Sequence, residues 1–136
     1  MINQRYLQQN WQKREELESI PTRNGYGEGM VAAGEQNENV VVLCADLTES
    51  TRSHQFREKF PERFIECGVS EANMAGVASG LASTGKVPFI SSYAMFSPGI
   101  SWTQIRTTIC YNQQKVIIGG AHAGISVGPD GATHQA

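Results

Sequence analysis

Residues 68–82 read GVSEANMAGVASGLA and place one carboxylate, Glu71, where an apolar strand gives way to a helix rich in small residues. Four residues in this segment have the i, i+3, i+4, i+7 spacing of an amphipathic helix: Met74, Val77, Ala78 and Leu81. We therefore predict a helix over residues 70–83. The helix dipole alone would stabilise an acid in its first turn by about 0.3–1 kcal/mol. A functional role for Glu71 therefore needs support from elsewhere in the chain.

Four short apolar runs alternate with helical segments along the chain. Val40–Cys44 is a continuous β-branched run, which is typical of a strand covered on both faces of a parallel sheet. The other strands are predicted at residues 63–67, 87–91 and 115–119. Strands that alternate with helices form right-handed crossovers, so their carboxyl ends face the same edge of the sheet. The sequence predicts a three-layer α/β/α fold with a mostly parallel sheet.

Three further helices are expected along the chain. Thr22 is a candidate N-cap for a helix that ends near residue 35 and carries glycines at positions 25, 27 and 29, which we attribute to close packing or to a close approach of the backbone to another group. The second helix carries Phe56 and Phe60 on one side, and the third passes through Trp102 and residues 105 and 109. The first of these helices precedes the first strand, and the other two cross between successive strands of the sheet.

Side chains suited to binding follow the ends of the predicted strands. They are Asp46, Glu71, Tyr93, Phe96 and His122. Ligands of open α/β sheets bind outside the carboxyl ends of the strands, where these side chains would gather. Carboxylates, an imidazole and aromatic rings suit a polar aromatic ligand better than a phosphate alone, and the sequence has no GxxxxGK[ST] loop.

Length and charge limit the class of protein. The 136 residues fit one domain, which we assign to residues 21–136, after a polar arm at residues 1–20. Eleven basic and thirteen acidic side chains form no basic stripe, so we expect no nucleic-acid partner. The sequence also lacks a signal-peptide core and a long apolar run. We expect no membrane partner and a cytoplasmic location.

The three cysteines, Cys44, Cys67 and Cys110, are widely spaced and odd in number. This pattern supports neither a disulfide framework nor a CxxC metal site. Buried free thiols are the expected state of all three, and no metal ligands are predicted on this chain.

Three motifs together resemble the pyrimidine-binding domain of transketolases. They are ADLTES at residues 45–50, the segment at residues 68–82, and GPDGATHQ at residues 128–135. Transketolases are thiamine-diphosphate enzymes that move a two-carbon ketol unit between sugar phosphates. The resemblance covers about residues 20–136 and includes the C-terminal subunit of split transketolases. The GPDGATHQ ending favours the transketolase branch over the related dehydrogenase β-subunits.

The resemblance implies a set of residues that bind the cofactor. Glu71 matches the catalytic glutamate that hydrogen-bonds N1′ of the aminopyrimidine and favours its imino tautomer. Tyr93 and Phe96 match two aromatics that stack on that ring, although the family usually has Phe at the first position, and core filling is the alternative explanation.

Three more positions are similar to residues that lie near the cofactor in the family: Asp46, Leu47 and Gln104. Asp46 could equally cap the turn that follows the first strand. Trp102, beside Gln104, could line the same pocket or belong to a buried helix face.

The resemblance also implies residues on the substrate side. Arg23 and Ser50 would bind the phosphate group of the sugar. His122 and His134 would bind donor and acceptor oxygens and act catalytically by moving protons, which imidazoles do near neutral pH. Asp130 would hold a sugar hydroxyl. A histidine in a loop is more often only a solvated side chain, so these roles rest on the family pattern.

The chain also departs from the family. It has no Gly-Asp-Gly…Asn motif, so the diphosphate and the Mg²⁺ ligands are expected on a partner subunit or domain. It stops at Ala136, where family members continue through a further helix and strand, which would leave an exposed sheet edge. We predict a fragment, or one subunit of a split and oligomeric enzyme, that is inactive alone.

Two alternatives stay open at this point. One is a piece of the related 1-deoxyxylulose-5-phosphate synthase, which condenses pyruvate with glyceraldehyde 3-phosphate and differs in its donor. The other is a catalytically silent interaction domain with the same fold. Retention of the acid at position 71, both aromatics and both histidines argues against a silent domain.

Overall fold

Four parallel strands form a single sheet in the order β2-β1-β3-β4 in the computed structural model, which describes residues 10–136. The strands are β1 (Val40–Cys44), β2 (Phe64–Glu66), β3 (Val87–Tyr93) and β4 (Ile117–Ala121). β1 pairs with both β2 and β3, and β4 pairs with β3. The predicted parallel sheet is confirmed, with β1 and β3 at its centre.

One helix precedes β1 and three lie between successive strands, as predicted. They are α1 (Thr22–Gln36), α2 (His54–Lys59), α3 (Glu71–Ser83) and α4 (Trp102–Gln104). α4 lies between two π-helical stretches, Met95–Ile100 and Ile105–Cys110, and the first of these contains Pro98 after a cis peptide bond. Single 3₁₀ turns cover Arg14–Glu16 and Pro61–Arg63, and Gly128–His134 holds two 3₁₀ stretches separated by a kink at Gly131.

Two apolar clusters cover the two faces of β1. Val41 and Leu43 point to one face and pack with residues of α3, β3 and the 105–110 stretch: Met74, Ala75, Ala78, Ile90, Ile105 and Ile109. Val40 and Val42 point to the other face and pack with Met30 of α1 and Phe56 of α2. Since helices lie on both faces of the sheet, the three-layer α/β/α architecture is confirmed.

Glycines let α1 approach α2 closely. A Cβ at Gly34 would lie 2.6 Å from Cε2 of Phe56, and one at Gly27 would lie 2.7 Å from Cβ of Arg52. The close packing predicted for the glycines of α1 is therefore confirmed at Gly27. Close packing is wrong as the explanation for Gly25 and Gly29, because an added Cβ there would meet no atom of residues 10–136 within 4 Å.

Several boundaries differ from those predicted. β3 runs two residues further, to Tyr93, and β4 is displaced by two residues, because Ser92 pairs with Gly120 and Tyr93 with Ala121. Thr22 lies inside the first turn of α1, where Pro21 takes the N-cap position without a side-chain cap. Thr22 is therefore not the N-cap.

The exposure of three side chains corrects the expectations for them. Cys44 is buried, but Cys67 is only partly buried and Cys110 is exposed, so the prediction of three buried thiols is wrong for the last two. Trp102 is 63% exposed, which rules out a buried helix face as its explanation.

The N-terminal arm is described in part. Residues 1–9 of the predicted arm lie outside the described residues, and residues 10–20 carry the turn Arg14–Glu16 and the exposed Trp11. Among the helices of residues 10–136, none has the length and apolar character that crossing a membrane requires.

Candidate functional site

Glu71 is the first residue of α3 and is only 7% exposed. The hydroxyl of Ser92, near the end of β3, donates a hydrogen bond to Glu71 Oε1 at 3.0 Å. Within residues 10–136, no hydrogen bond reaches the second carboxyl oxygen. A solvated first-turn acid would not need this burial, and burying a carboxyl group with one neutral partner is costly. The helix dipole alone therefore does not account for the position of Glu71.

Four rings meet at the carboxyl ends of β3 and β4, and we call them the rim cluster: Tyr93, Phe96, His122 and His134. The centroids of Tyr93 and His122 lie 3.9 Å apart. The His134 ring meets Tyr93 and Phe96 edge-on, at 5.8 and 5.1 Å. The fold thus brings together both predicted aromatics and both predicted histidines, although 11 residues separate the two histidines in sequence.

The rings of Tyr93 and Phe96 contact each other directly. Their centroids are 6.2 Å apart and their planes differ by 22°. Aromatic pairs in contact have centroids about 4.5–7 Å apart, so a third ring does not fit between these two as they stand. A ligand ring would bind beside them or would move them apart.

Arg23 contacts Ser50 and lines the larger of two clefts, whereas Ser50 lines the smaller one. The Arg23 guanidinium donates to the backbone oxygen of Ser50 at 3.5 Å, so it is the carbonyl of Ser50 that binds Arg23. The larger cleft has a volume of about 650 Å³ and contains His122 as well as Arg23. Other lining residues come from α1, from the loop before α2 and from the end of β4: Thr22, Tyr26, Thr51 and residues 119–121.

Tyr26 lines this larger cleft where α1 crosses the sheet. Its hydroxyl hydrogen-bonds Ser91 Oγ at 2.9 Å, and a Cβ at Gly119 would collide with that hydroxyl. Burial raises the pKa of Tyr26, and the hydrogen bond with Ser91 offsets part of that rise. The phenol therefore stays neutral and forms a fixed part of the cleft wall.

Asp46 and Leu47 line a smaller cleft of about 350 Å³ that follows β1 and also contains Ser50. Asp46 is exposed and has a φ of +58°, the left-handed region. The backbone oxygen of Leu47 accepts bonds from the N–H and the hydroxyl of Thr51. The Asp46 side chain forms no hydrogen bond with residues 10–136, so it does not cap this turn, and the Asp46 N–H donates to a second acid.

That acid is Glu66, which the sequence did not single out. Glu66 Oε1 accepts from the Asp46 N–H at 2.8 Å and the Gly68 N–H at 2.9 Å, while Oε2 accepts from the Thr48 hydroxyl at 2.7 Å. Burial raises the pKa of Glu66, but these bonds outweigh burial and hold the pKa below its usual range. The sequence signal that could have identified Glu66 is an acid at the end of a strand, two residues before Gly68.

Two predicted residues stand apart from these contacts. Asp130 is exposed in the Gly128–His134 turn, and Gln104 is partly buried in α4. Neither side chain hydrogen-bonds a residue of the described part of the chain, although the backbone oxygens of both accept threonine hydroxyls. Within residues 10–136, no group of three or more His, Cys, Asp and Glu side chains is arranged to hold a metal ion.

A family model described as the transketolase pyrimidine-binding domain matches residues 18–136. A protein of Methanocaldococcus jannaschii named as a transketolase C-terminal section is 51% identical over 113 residues, which cover 83% of this chain and 36% of that protein. Human transketolase is 34% identical over 120 residues, covering 88% of this chain and 19% of the relative. The chain therefore spans about a third of the first protein and a fifth of the second.

A solved structure agrees with these matches in fold. A split-gene transketolase, solved as an inactive β4 tetramer, has a TM-score of 0.74 and 44% identity, and the match covers 88% of this chain and 38% of that chain. The four-stranded parallel sheet, the buried acid at the start of α3 and these similarities agree with one another, and the chain belongs to the transketolase pyrimidine-binding domain family.

Proposed function

We propose that this chain supplies the pyrimidine-binding half of a thiamine-diphosphate site, in an enzyme that transfers a two-carbon ketol unit between sugar phosphates. The observation that carries the proposal is Glu71. Its carboxyl group is buried at the carboxyl end of the sheet, one oxygen is held by Ser92, and the other has no hydrogen bond from residues 10–136. A carboxyl group of this kind suits a ring nitrogen with which it can share a proton.

The residues present fit the aminopyrimidine ring of the cofactor. Ser92 orients the Glu71 carboxyl group, and the rim cluster offers aromatic faces at the ends of the neighbouring strands. A ring that stacks between Tyr93 and Phe96 needs two contacts of about 3.5 Å. We therefore infer that these two rings separate slightly from their present 6.2 Å when the cofactor binds.

The other predicted residues fit the substrate side. When bound, thiamine diphosphate supplies a carbon nucleophile that breaks and forms the bond next to a carbonyl group. We propose that His122 and His134 exchange protons with sugar oxygens and that Arg23 binds a phosphate in the larger cleft, which His122 also lines. Asp46, Leu47 and Gln104 are proposed as further cofactor contacts, and Ser50 and Asp130 as substrate contacts.

The diphosphate and Mg²⁺ are assigned to a partner subunit or domain. The sequence has no Gly-Asp-Gly…Asn motif, and residues 10–136 show no cluster of metal ligands. The split-gene relative is described as inactive in the form of a β4 tetramer. We infer by analogy that this chain oligomerises and that it needs a diphosphate-binding transketolase subunit for turnover.

Calorimetric titration of thiamine diphosphate with Mg²⁺ tests the assignment. The chain together with a diphosphate-binding transketolase subunit is expected to bind the cofactor, and each protein alone is expected to bind it far more weakly. Equal binding by the chain alone would contradict the division of the site. A complex that forms without binding the cofactor would contradict the cofactor assignment and favour a silent interaction domain.

Replacing Arg23 with Ala is expected to raise the KM for a phosphorylated acceptor by about 10–100-fold, the value of a charge-assisted hydrogen bond, with a smaller change in kcat. Steady-state kinetics of the complex measure this effect. An unphosphorylated acceptor should show no such increase. Arg106→Ala, at an exposed position in the 105–110 stretch, is the matched control. Equal losses for both acceptors would contradict phosphate recognition by Arg23.

A further inference from the structure

The carboxylate of Glu66 joins two loops at the carboxyl edge of the sheet. Glu66 is the last residue of β2 and pairs with Cys44, the last residue of β1. Its Oε1 accepts from the N–H of Asp46, in the loop after β1, and from the N–H of Gly68, in the loop after β2. One oxygen atom therefore links the loops that carry the proposed cofactor contacts of both strands.

The two residues held in this way share an unusual backbone conformation. Asp46 has a φ of +58° and Gly68 a φ of +66°. A left-handed conformation costs a non-glycine residue about 1 kcal/mol or more, so Asp46 needs a compensating contact. The bond from its N–H to Glu66 supplies that contact, and the bond from Thr48 to Oε2 fixes the same loop a second time.

The link continues from Gly68 to the start of α3. The N–H of Ser70 donates to the Gly68 oxygen at 2.7 Å, and the Ser70 hydroxyl donates to the Cys67 oxygen at 2.8 Å. Glu71 follows immediately. A displacement of Gly68 would therefore change where α3 begins and where the Glu71 carboxyl group lies.

We propose that Glu66 is a positioning residue, whose ionised carboxylate fixes the Asp46 loop and Glu71 relative to each other for cofactor binding. The inference rests on the proposed function for its effect on the cofactor, but the link itself is independent of it. The lowered pKa of Glu66 keeps the group ionised at neutral pH, which suits an acceptor of several hydrogen bonds. An amide at this position would offer one acceptor oxygen in place of two.

Glu66→Ala and Glu66→Gln separate this role from a general effect on stability. Glu58→Ala is the control, because it also removes one exposed carboxylate and Glu58 has no hydrogen bond to residues 10–136. Hydrogen exchange of the full chain is expected to accelerate about tenfold or more at the amides of residues 46 and 68 in Glu66→Ala, since a bond to a charged group is lost. Amides in the centre of β1 should keep their exchange rates.

Thiamine-diphosphate affinity in the complex is the second measurement. Glu66→Ala is expected to weaken binding about tenfold while the melting temperature falls by only about 5 °C, and Glu66→Gln to restore part of the loss because its amide oxygen still accepts the two N–H groups. Wild-type exchange rates in Glu66→Ala would overturn the link. Accelerated exchange with unchanged affinity, or uniform acceleration across the sheet, would overturn the positioning role. A wild-type complex that fails to bind the cofactor would refute the proposed function, while the exchange rates still decide on the link.

Discussion

Replacing Glu71 with Gln is expected to lower the rate of ketol transfer by the complex about 10²–10⁴-fold, the usual contribution of a positioned acid or base. The amide keeps the size of the side chain and can still accept the hydrogen bond from Ser92. It cannot share a proton with a ring nitrogen as a carboxyl group does. The turnover number at saturating cofactor and substrates measures the effect.

The fold of this variant should be intact, because a buried neutral amide is less costly than a buried carboxylate. Its melting temperature is expected to equal or exceed that of the wild type. Glu28→Gln, at an exposed position of α1, makes the same chemical change and should leave turnover unaltered. Wild-type turnover by Glu71→Gln would remove Glu71 from the mechanism.

Replacing Phe56 with Ala is expected to lower the free energy of unfolding by about 3–5 kcal/mol, the cost of removing a fully buried aromatic ring. Phe56 is 0% exposed and packs with Met30, Val40 and Val42, and its centroid lies 5.0 Å from that of Phe60. The loss should be large because its neighbours include the backbone of α1 at Gly34 and the strand β1. Neither the α1 backbone nor β1 can move far enough to fill the cavity that the missing ring would leave.

Urea unfolding at a constant m-value gives this free energy for the full chain. Val69→Ala is the control, since Val69 is 80% exposed and surface changes usually stay within about 0.5 kcal/mol. A loss below about 1 kcal/mol in Phe56→Ala would mean that the cluster between α1, α2 and the sheet is loosely packed.

The elements with strong patterns could be predicted from the sequence. β1 was predicted to the residue because Val40–Cys44 is continuously apolar, and α3 to within one residue because its apolar side chains keep a helical spacing. The end of β3 and the position of β4 were missed. Ser92 and Gly120 pair across the sheet, but serine and glycine are weak strand formers, so only the pairing itself reveals their place.

The candidate site could be predicted from the sequence as residues near one edge of the sheet, but the contacts between them could not. The rule that ligands bind at the carboxyl ends of parallel strands placed Glu71, Tyr93 and His122 on one edge. Family resemblance added Arg23 and His134. The partner of each side chain depends on distances between strands, so neither the bond from Ser92 to Glu71 nor the set of bonds that Glu66 accepts follows from spacing along the chain.

Because Trp102 is exposed, the intrinsic tryptophan fluorescence of the protein can report on binding at its surface. The sequence has two tryptophans, and Trp11 and Trp102 are 44% and 63% exposed, so neither belongs to the core. An indole in water emits at longer wavelengths than one enclosed by protein. The tryptophan fluorescence of this chain therefore reports on its surface. Binding of a subunit that covers Trp102 is expected to shift the emission maximum to shorter wavelength, without any added label.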